Sequence, residues 1–340
     1  MGIREMLVMD RGLSVGGLFS GVGGIEFGFK QAGFDIKWAN EIDHWACETY
    51  RANFEHTLYE EDIRTLSTDI LEPVDVLCAG FPCQAFSLAG YRKGFADDRG
   101  NIFFQILRII QGLNSKPKLL FLENVKNFRN HDNGNTFQVV KRGLEDLGYR
   151  IFDTVLNSCE YTDIPHNRER TFIIGFSKEM VDLGVQNHFE TTHNKSRSYS
   201  PTQHIAAFFE TGVIDEKYYY RRDKYNYKQL VETIKSKDTV YQWRRIYVRE
   251  NQSNVCPTLT ANMGTGGHNV PLIKVDDGIR KLTPRECFNL QGFPESFKLP
   301  ETTADSHLYK QAGNSVTVPV IVKLASAIGE AISNCHFTVR

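Results

Sequence analysis

The sequence predicts an α/β fold, a mostly parallel sheet with helices on both faces, joined to a smaller irregular domain. Three observations carry that expectation. Strand-like and helix-like runs alternate through the first half of the chain. The runs at 74–79 and 118–122 are short and almost wholly apolar, the pattern of strands buried on both faces. The rhythm then stops after about Lys178.

Taken in order, residues 13–19 read as a first strand, weakened by Gly16 and Gly17. A Gly-rich turn follows, then a helical pattern over 25–32 and a second strand over 35–39. The buried strand at 74–79 precedes a helix at 102–113, and the strand at 118–122 precedes a helix at 137–147 that Gly148 ends. Two more strands fit 151–156 and 171–176. Residues 179–280 are polar, with scattered aromatics and no clear period. Regular pattern returns at 283–290, and a long helix over 316–332 is opened by Gly313-Asn314-Ser315. The chain has 340 residues, room for two domains at about 150 each. Residues 1–178 read as the first part of a catalytic and cofactor-binding domain, 179–282 as a recognition domain, and 283–340 as a hinge and helix that complete the first.

Composition excludes several classes. Hydrophobic residues are 41% and charged residues 24%, ordinary globular values that argue against disorder. No run of eighteen apolar residues predicts a membrane span, and the first residues carry no secretory signal. The seven cysteines form no paired spacing, so the expected setting is a reducing cytoplasm. No metal spacing occurs among the ten histidines; His188-Phe189-Glu190 resembles half of a zinc deaminase signature, but no Pro-Cys-x-x-Cys follows.

The net charge of −1 gives no overall pull toward nucleic acid, but local charge does. Residues 217–250 hold ten Lys or Arg against four Asp or Glu, with seven of the fourteen tyrosines and Trp243. Cations for phosphates and rings for bases are what a nucleic-acid surface needs. Residues 41–75 hold ten acidic residues against two basic ones, a face suited to a cationic small molecule. Either run alone also fits a solvated surface.

Four constellations carry chemistry. Phe19, Ser20, Gly21, Val22, Gly23 and Gly24 lie between a strand and a helix, where backbone can approach a ligand. The spacing fits neither a dinucleotide fingerprint nor a phosphate loop. Glu41, at the end of the next strand, can accept from both hydroxyls of a ribose, and Asp62 from an adenine amino group. Second, Cys83 in Gly80-Phe81-Pro82-Cys83 directly follows a buried strand, where parallel sheets place their sites. Third, Glu123 occupies the same place after the neighbouring strand. Fourth, Arg168 and Arg170 are two apart in extended chain and can face one site together. Taken singly, a tight turn, a core cysteine, a loop-capping Glu and a surface ion pair are equally ordinary readings.

In order, FSGVGG, NEID, DIR, GFPCQAFS, ENVKNF, NRER, RKLTPREC…LQGFP and QAGNSVTVPV resemble the DNA (cytosine-5) methyltransferases of bacterial restriction–modification systems. The match runs from about Leu13 to Val320 and departs at Gly16-Gly17, where the family usually has bulkier residues. The resemblance implies a Rossmann-like methyltransferase domain, S-adenosyl-L-methionine as donor with S-adenosyl-L-homocysteine as product, no metal, and a flipped cytosine in duplex DNA as acceptor. It implies a thiolate at Cys83 adding to cytosine C6, with Glu123, Arg168 and Arg170 completing the catalytic set. Around the donor it places Phe19 to Gly24, Glu41, Ile42, Asp62, Ile63, Gly80, Pro82, Asn314, Ser315 and Val316. Thr258 and Leu259 fall near the phosphates of the flipped base. Arg245 is a candidate guanine reader, because its fork matches O6 and N7, and Gln242 a candidate for filling the vacated stack. The expected partners are duplex DNA and a separately encoded restriction endonuclease, with a monomeric protein in the cytoplasm and no membrane. Two rivals stand beside this reading: an RNA (tRNA) cytosine-5 methyltransferase, and a non-catalytic DNA-binding protein on the same scaffold.

Overall fold

A computed structural model describes residues 12–82, 102–195, 201–224, 226–244, 247–251, 254–265 and 269–337. Cys83 and Arg245, two of the candidate site residues, lie outside the described residues.

Seven strands form the main sheet: β1 (Ser14–Leu18), β2 (Asp35–Glu41), β3 (Thr57–Glu60), β4 (Val76–Gly80), β5 (Leu119–Val125), β6 (Tyr149–Asn157) and β7 (Glu169–Ser177). Their order is β3-β2-β1-β4-β5-β7-β6. Strands β1 to β5 pair in parallel, and β7 runs antiparallel between β5 and β6. The chain moves outward from β1 to β3, then returns to place β4 on the other side of β1. Ligands of such sheets bind beyond the carboxyl ends of the strands at this switch point. Because β7 is reversed, its beginning also arrives at that edge, and it brings Arg168 and Arg170 with it.

The described helices are α1 (Gly24–Gln31), α2 (His44–Arg51), α3 (Ile102–Gly112), α4 (Asn135–Asp146), α5 (Ser158–Tyr161), α6 (Lys178–Asp182), α7 (Val185–Lys195), α8 (Tyr227–Thr233), α9 (Pro284–Asn289), α10 (Asp305–Asn314) and α11 (Val318–Phe337). One face of the sheet is covered by α1, α7 and α11, through Phe29, Phe189, Ile321 and Ile328. The other is covered by α3 and α4, through Phe103, Ile106, Val140 and Leu144. The long apolar helix α11 is thus a core element, with Ile321, Leu324, Ala325 and Ile328 fully buried.

The Gly16-Gly17 departure has a packing reason. A Cβ at Gly16 would drive into the ring of Trp38, and one at Gly17 into the carboxyl of Glu26. Trp38 on β2 is buried and donates its indole N–H to the Glu72 carbonyl at 2.9 Å. The bulk missing from β1 is supplied by its neighbours.

Two features differ from the sequence expectation. Beyond Lys178 the chain does not leave the first core at once: Met180, Val185 and Phe189 pack into it beside α11. The stretch expected to be irregular also holds a five-stranded antiparallel sheet, ordered β10-β9-β11-β12-β8. Its strands are β8 (Tyr219–Tyr220), β9 (Tyr241–Arg244), β10 (Tyr247–Glu250), β11 (Leu272–Val275) and β12 (Gly278–Lys281). Strands of two to four residues are too short to show a period of two. Tyr241, Val248, Leu272 and Ile279 close a small core with Leu230 and Ile234.

Candidate active site

A cavity of about 360 Å³ opens at the switch point. The turn after β1 forms its floor. Phe19 adopts a left-handed conformation, φ 55°, a strained state for a residue with a Cβ and one found at ligand clamps. Glu41, at the end of β2, stiffens the turn from the side. Its carboxylate accepts from Gly21 N at 2.7 Å and from Ile42 N and Asp43 N at 2.8 Å each. Two carboxylate oxygens have about four acceptor sites, so Glu41 keeps capacity for ribose hydroxyls.

The C-terminal segment closes the cavity from above. Asn314, Ser315 and Val316 line it, and the Ser315 hydroxyl stands where a side chain on Gly24 would be. That hydroxyl is buried and lacks a protein partner. The segment runs from the end of α10 into the start of α11, so neither Asn314 nor Ser315 caps the long helix; Ser315 follows α10 as its C-cap. An adenosine-bearing donor fits these walls: a carboxylate with spare lone pairs and an orphaned hydroxyl for its nucleoside, and a helix N-terminus at the floor for its amino-acid carboxylate.

Of the candidate donor residues, Phe19, Ser20, Gly21, Val22, Gly24, Glu41, Ile42, Gly80, Pro82, Asn314, Ser315 and Val316 line the cavity. Among the described residues, its wall does not include Gly23, Asp62 or Ile63. Gly23 is the N-cap of α1 in a left-handed conformation. Asp62 is turned to Arg64, whose Nε lies 2.9 and 3.0 Å from its two oxygens. Ile63 is buried in the core beneath α3. Sequence reading missed α2 and its consequences. Asp43 caps α2, accepting from Trp45 N and Ala46 N, and pairs with Lys310 of α10 at 2.6 Å. Trp45 stacks on His307, ring centroids 4.7 Å apart. These contacts tie α2 to α10 at the cavity wall. An Asp directly before an amphipathic stretch was the available signal for that cap.

The deeper end of the cavity holds the catalytic candidates. Glu123 lies near the carboxyl end of β5, pairs in register with Gly80 and is 8% exposed. Arg170 Nε meets its Oε1 at 2.9 Å. Burial pushes the Glu123 carboxyl above the usual carboxylate range, while the guanidinium groups of Arg170 and Arg168 pull it back. Asn124 donates from Nδ2 to the Phe81 carbonyl at 2.9 Å. This bond holds the strand end that leads through Pro82 to Cys83.

Arg168 and Arg170 share the cavity but not a role. Arg168 is 2% exposed. It donates to the carbonyls of Leu259 at 2.8 Å, Gly313 at 3.0 Å and Ser315. Two separate segments, at Leu259 and at Gly313–Ser315, converge on one guanidinium. Gly313 permits the convergence, because a Cβ there would collide with the backbone of Thr260 and Ala261.

Leu259 is itself buried, its N–H bonded to His166 Nε2 at 3.1 Å, so its side chain offers no surface to a phosphate. Thr258 is exposed and donates to the Asn167 carbonyl at 2.6 Å. With Gln242 it lines a second concavity, of about 440 Å³.

Comparison with known proteins agrees with this geometry. The model of the family described as C-5 cytosine-specific DNA methylase matches residues 13–330. The chain is similar to the type II methyltransferase M.Bsp6I of Bacillus sp. (strain RFL6), 51% identical over 93% of this chain and 98% of that one. It is also similar to the type II methyltransferase M.HhaI of Haemophilus parahaemolyticus, 38% identical over 93% and 94%. Among solved structures, the S. pombe Dnmt2 methyltransferase shares the fold, with a TM-score of 0.70 at 19% identity over 94% of this chain and 99% of that one. The Entamoeba histolytica methyltransferase EhMeth does so with 0.66 at 18% over 94% and 98%. The chain belongs to the C-5 cytosine-specific DNA methylase family.

Proposed function

We propose that this chain transfers a methyl group to carbon 5 of a flipped cytosine in duplex DNA, through a covalent bond from Cys83 to carbon 6. The observation that carries the reading is the buried Glu123–Arg170 pair in the wall of a cavity that also contains Pro82, the residue before Cys83.

Carbon 5 of cytosine is a poor nucleophile until a thiolate has added at carbon 6. A free thiol near pKa 8.5 is only about 3% thiolate at pH 7. The six other cysteines do not compete for the role. Burial pushes every one of their thiols up, Cys47 to about 12 and Cys78 and Cys287 well above the usual range. All six are free, which also favours a reducing cytoplasm.

Glu123 gives its proton or a strong hydrogen bond to cytosine N3 as charge develops there. Arg170 orients that carboxyl. When bound, S-adenosyl-L-methionine supplies an electrophilic methyl on a sulfonium, with Glu41 and the turn at 19–24 holding its nucleoside. The enamine electron pair at carbon 5 would form the new bond to that methyl, whose bond to sulfur breaks and leaves S-adenosyl-L-homocysteine. A base then takes the carbon 5 proton, and the Cys83 sulfur leaves with its electron pair.

The unit around the second sheet serves as the DNA-recognition part, and Arg168 fixes its Leu259 backbone against the donor segment. The similar type II methyltransferases favour a DNA substrate over RNA. The reading extends to a protective role beside a separately encoded endonuclease, with the chain acting as a monomer. Tritiated methyl transfer to duplex DNA and to tRNA, followed by bisulfite sequencing of the DNA, tests the reading. Label at cytosine carbon 5 of DNA is expected; label confined to tRNA would refute it.

A further inference from the structure

We propose that the outward face of the β9–β10 hairpin is the base-reading ribbon of the recognition part. Arg244 and Arg249 each read a guanine on it, in base pairs two steps apart. This rests on the DNA methyl-transfer reading above.

The strand register sorts the hairpin into two faces. Tyr241 pairs with Glu250, Gln242 with Arg249, Trp243 with Val248 and Arg244 with Tyr247. Alternation then puts Tyr241, Trp243 and Val248 on one side, where they enter the small core. Gln242, Arg244, Tyr247 and Arg249 occupy the other. That face turns to solvent: Arg244 and Arg249 are exposed and Tyr247 is 54% exposed. Strand β10 is also the sheet edge, so nothing in the sheet lies beyond it.

Charge separates these two arginines from several other cations of the unit. Lys217, Arg221 and Lys237 are engaged by Asp305, Glu216 and Asp276. Among the described residues, no ion pair to an acidic side chain involves Arg244 or Arg249. Arg244 donates to the Gln242 amide oxygen at 3.0 Å, which aims it along the face. The three polar side chains line the concavity they share with Thr258 and Asn167, and Asn167 adjoins Arg168 of the catalytic cavity. The ribbon therefore stands next to the place where the cytosine must enter.

Dimensions select the occupant. A two-stranded ribbon fits the major groove, about 12 Å wide. Arg249 is the diagonal neighbour of Arg244 across the hairpin, about 7 to 8 Å away. Two base-pair steps of about 3.4 Å span nearly the same distance. An arginine fork on guanine O6 and N7 is the commonest specific contact in that groove.

The test uses the full chain and a duplex library randomised around a cytosine, scored by bisulfite sequencing. R244Q and R249Q are each expected to lower discrimination at one G·C pair by roughly tenfold to a hundredfold. The two loosened positions should lie two base pairs apart, and each variant should shift toward adenine, which glutamine can hold. An unchanged consensus with uniformly lower turnover would overturn the proposal, since it marks phosphate contacts. So would loosened positions at any other separation. Should a variant be inactive, its binding to single-substituted duplexes gives the same comparison, with S-adenosyl-L-methionine binding as the check on folding. A wild-type chain that leaves no 5-methylcytosine at all would instead refute the methyl-transfer reading.

Discussion

Arg170 meets Glu123 across the antiparallel pairing of β5 and β7, Nε to Oε1 at 2.9 Å. The carboxyl is under two opposed influences. Loss of water raises its pKa, and the guanidinium groups lower it. A group held between them can both hold a proton and release it.

Glu123→Gln keeps the shape and removes the proton. Turnover should fall by about 10²- to 10⁴-fold, while donor affinity changes little. Single-turnover rates and a donor titration separate the two. Arg170→Ala leaves burial opposed only by Arg168, so the Glu123 pKa rises further. An acid works only while protonated, so activity is lost as pH climbs through its pKa. The basic limb of the residual pH–rate profile should therefore move to higher pH.

Glu41→Ala strips the acceptor from three backbone N–H groups of the donor turn. Donor binding should weaken by roughly tenfold to a hundredfold, the cost of about 1 to 3 kcal/mol for donors left unpaired. At saturating donor the rate should stay within a few-fold of wild type. Calorimetric titration with S-adenosyl-L-homocysteine measures the first, and steady-state kinetics the second.

Glu26 makes stability depend on pH. It is buried in the first turn of α1, and burial lifts its carboxyl from 4.5 to about 7, against the pull of the Ser20 hydroxyl. The folded chain thus holds more protons than the unfolded chain between those values. The contribution is fully present below about pH 4.5 and is lost as pH rises through about 7. The loss amounts to about 3 kcal/mol by linkage. Glu26→Gln is neutral throughout and should remove that part of the fall. Urea midpoints at about pH 5 and pH 8 check it; equal pH dependence in both proteins would contradict it.

The first domain was legible because its strands are buried on both faces and end in chemically distinctive residues. β4 and most of β5 are apolar runs, and Glu123 and Pro82 stand at the carboxyl ends where parallel sheets build sites. The reversed β7 could not be read that way, since nothing local in Glu169–Ser177 encodes its direction. Its reversal is nevertheless what brings Arg170 to Glu123. The second sheet was hidden by strands of two to four residues. The role of Arg168 was hidden for another reason: its three carbonyl partners are backbone atoms at Leu259, Gly313 and Ser315, and any sequence supplies carbonyls. Asp62 is read as an adenine contact because it follows a strand; the pairing of its carboxylate with Arg64, two residues on, is a side-chain arrangement that the order of residue types does not show.

Where the second unit joins α9, Arg280 and Glu286 form a buried pair, with 2% and 0% of their side chains exposed. Glu286 also accepts from Thr283 N at 2.8 Å and Glu210 N at 2.9 Å. Removing one partner leaves a buried charge uncompensated. Glu286→Ala should destabilise the fold by about 3 to 5 kcal/mol, read as a lowered urea midpoint. Replacing both partners by apolar residues should cost less than the single change.

The most direct measurement is trapping with duplex DNA in which 5-fluorocytosine replaces the target cytosine. Fluorine at carbon 5 cannot leave as a proton does, so the Cys83 sulfur stays bound after methyl transfer. A stable protein–DNA adduct, mapped by peptide mass to Cys83 and absent from Cys83→Ala, is the expected result. Methyl transfer to carbon 5 by Cys83→Ala, or an adduct on any other cysteine, would contradict it.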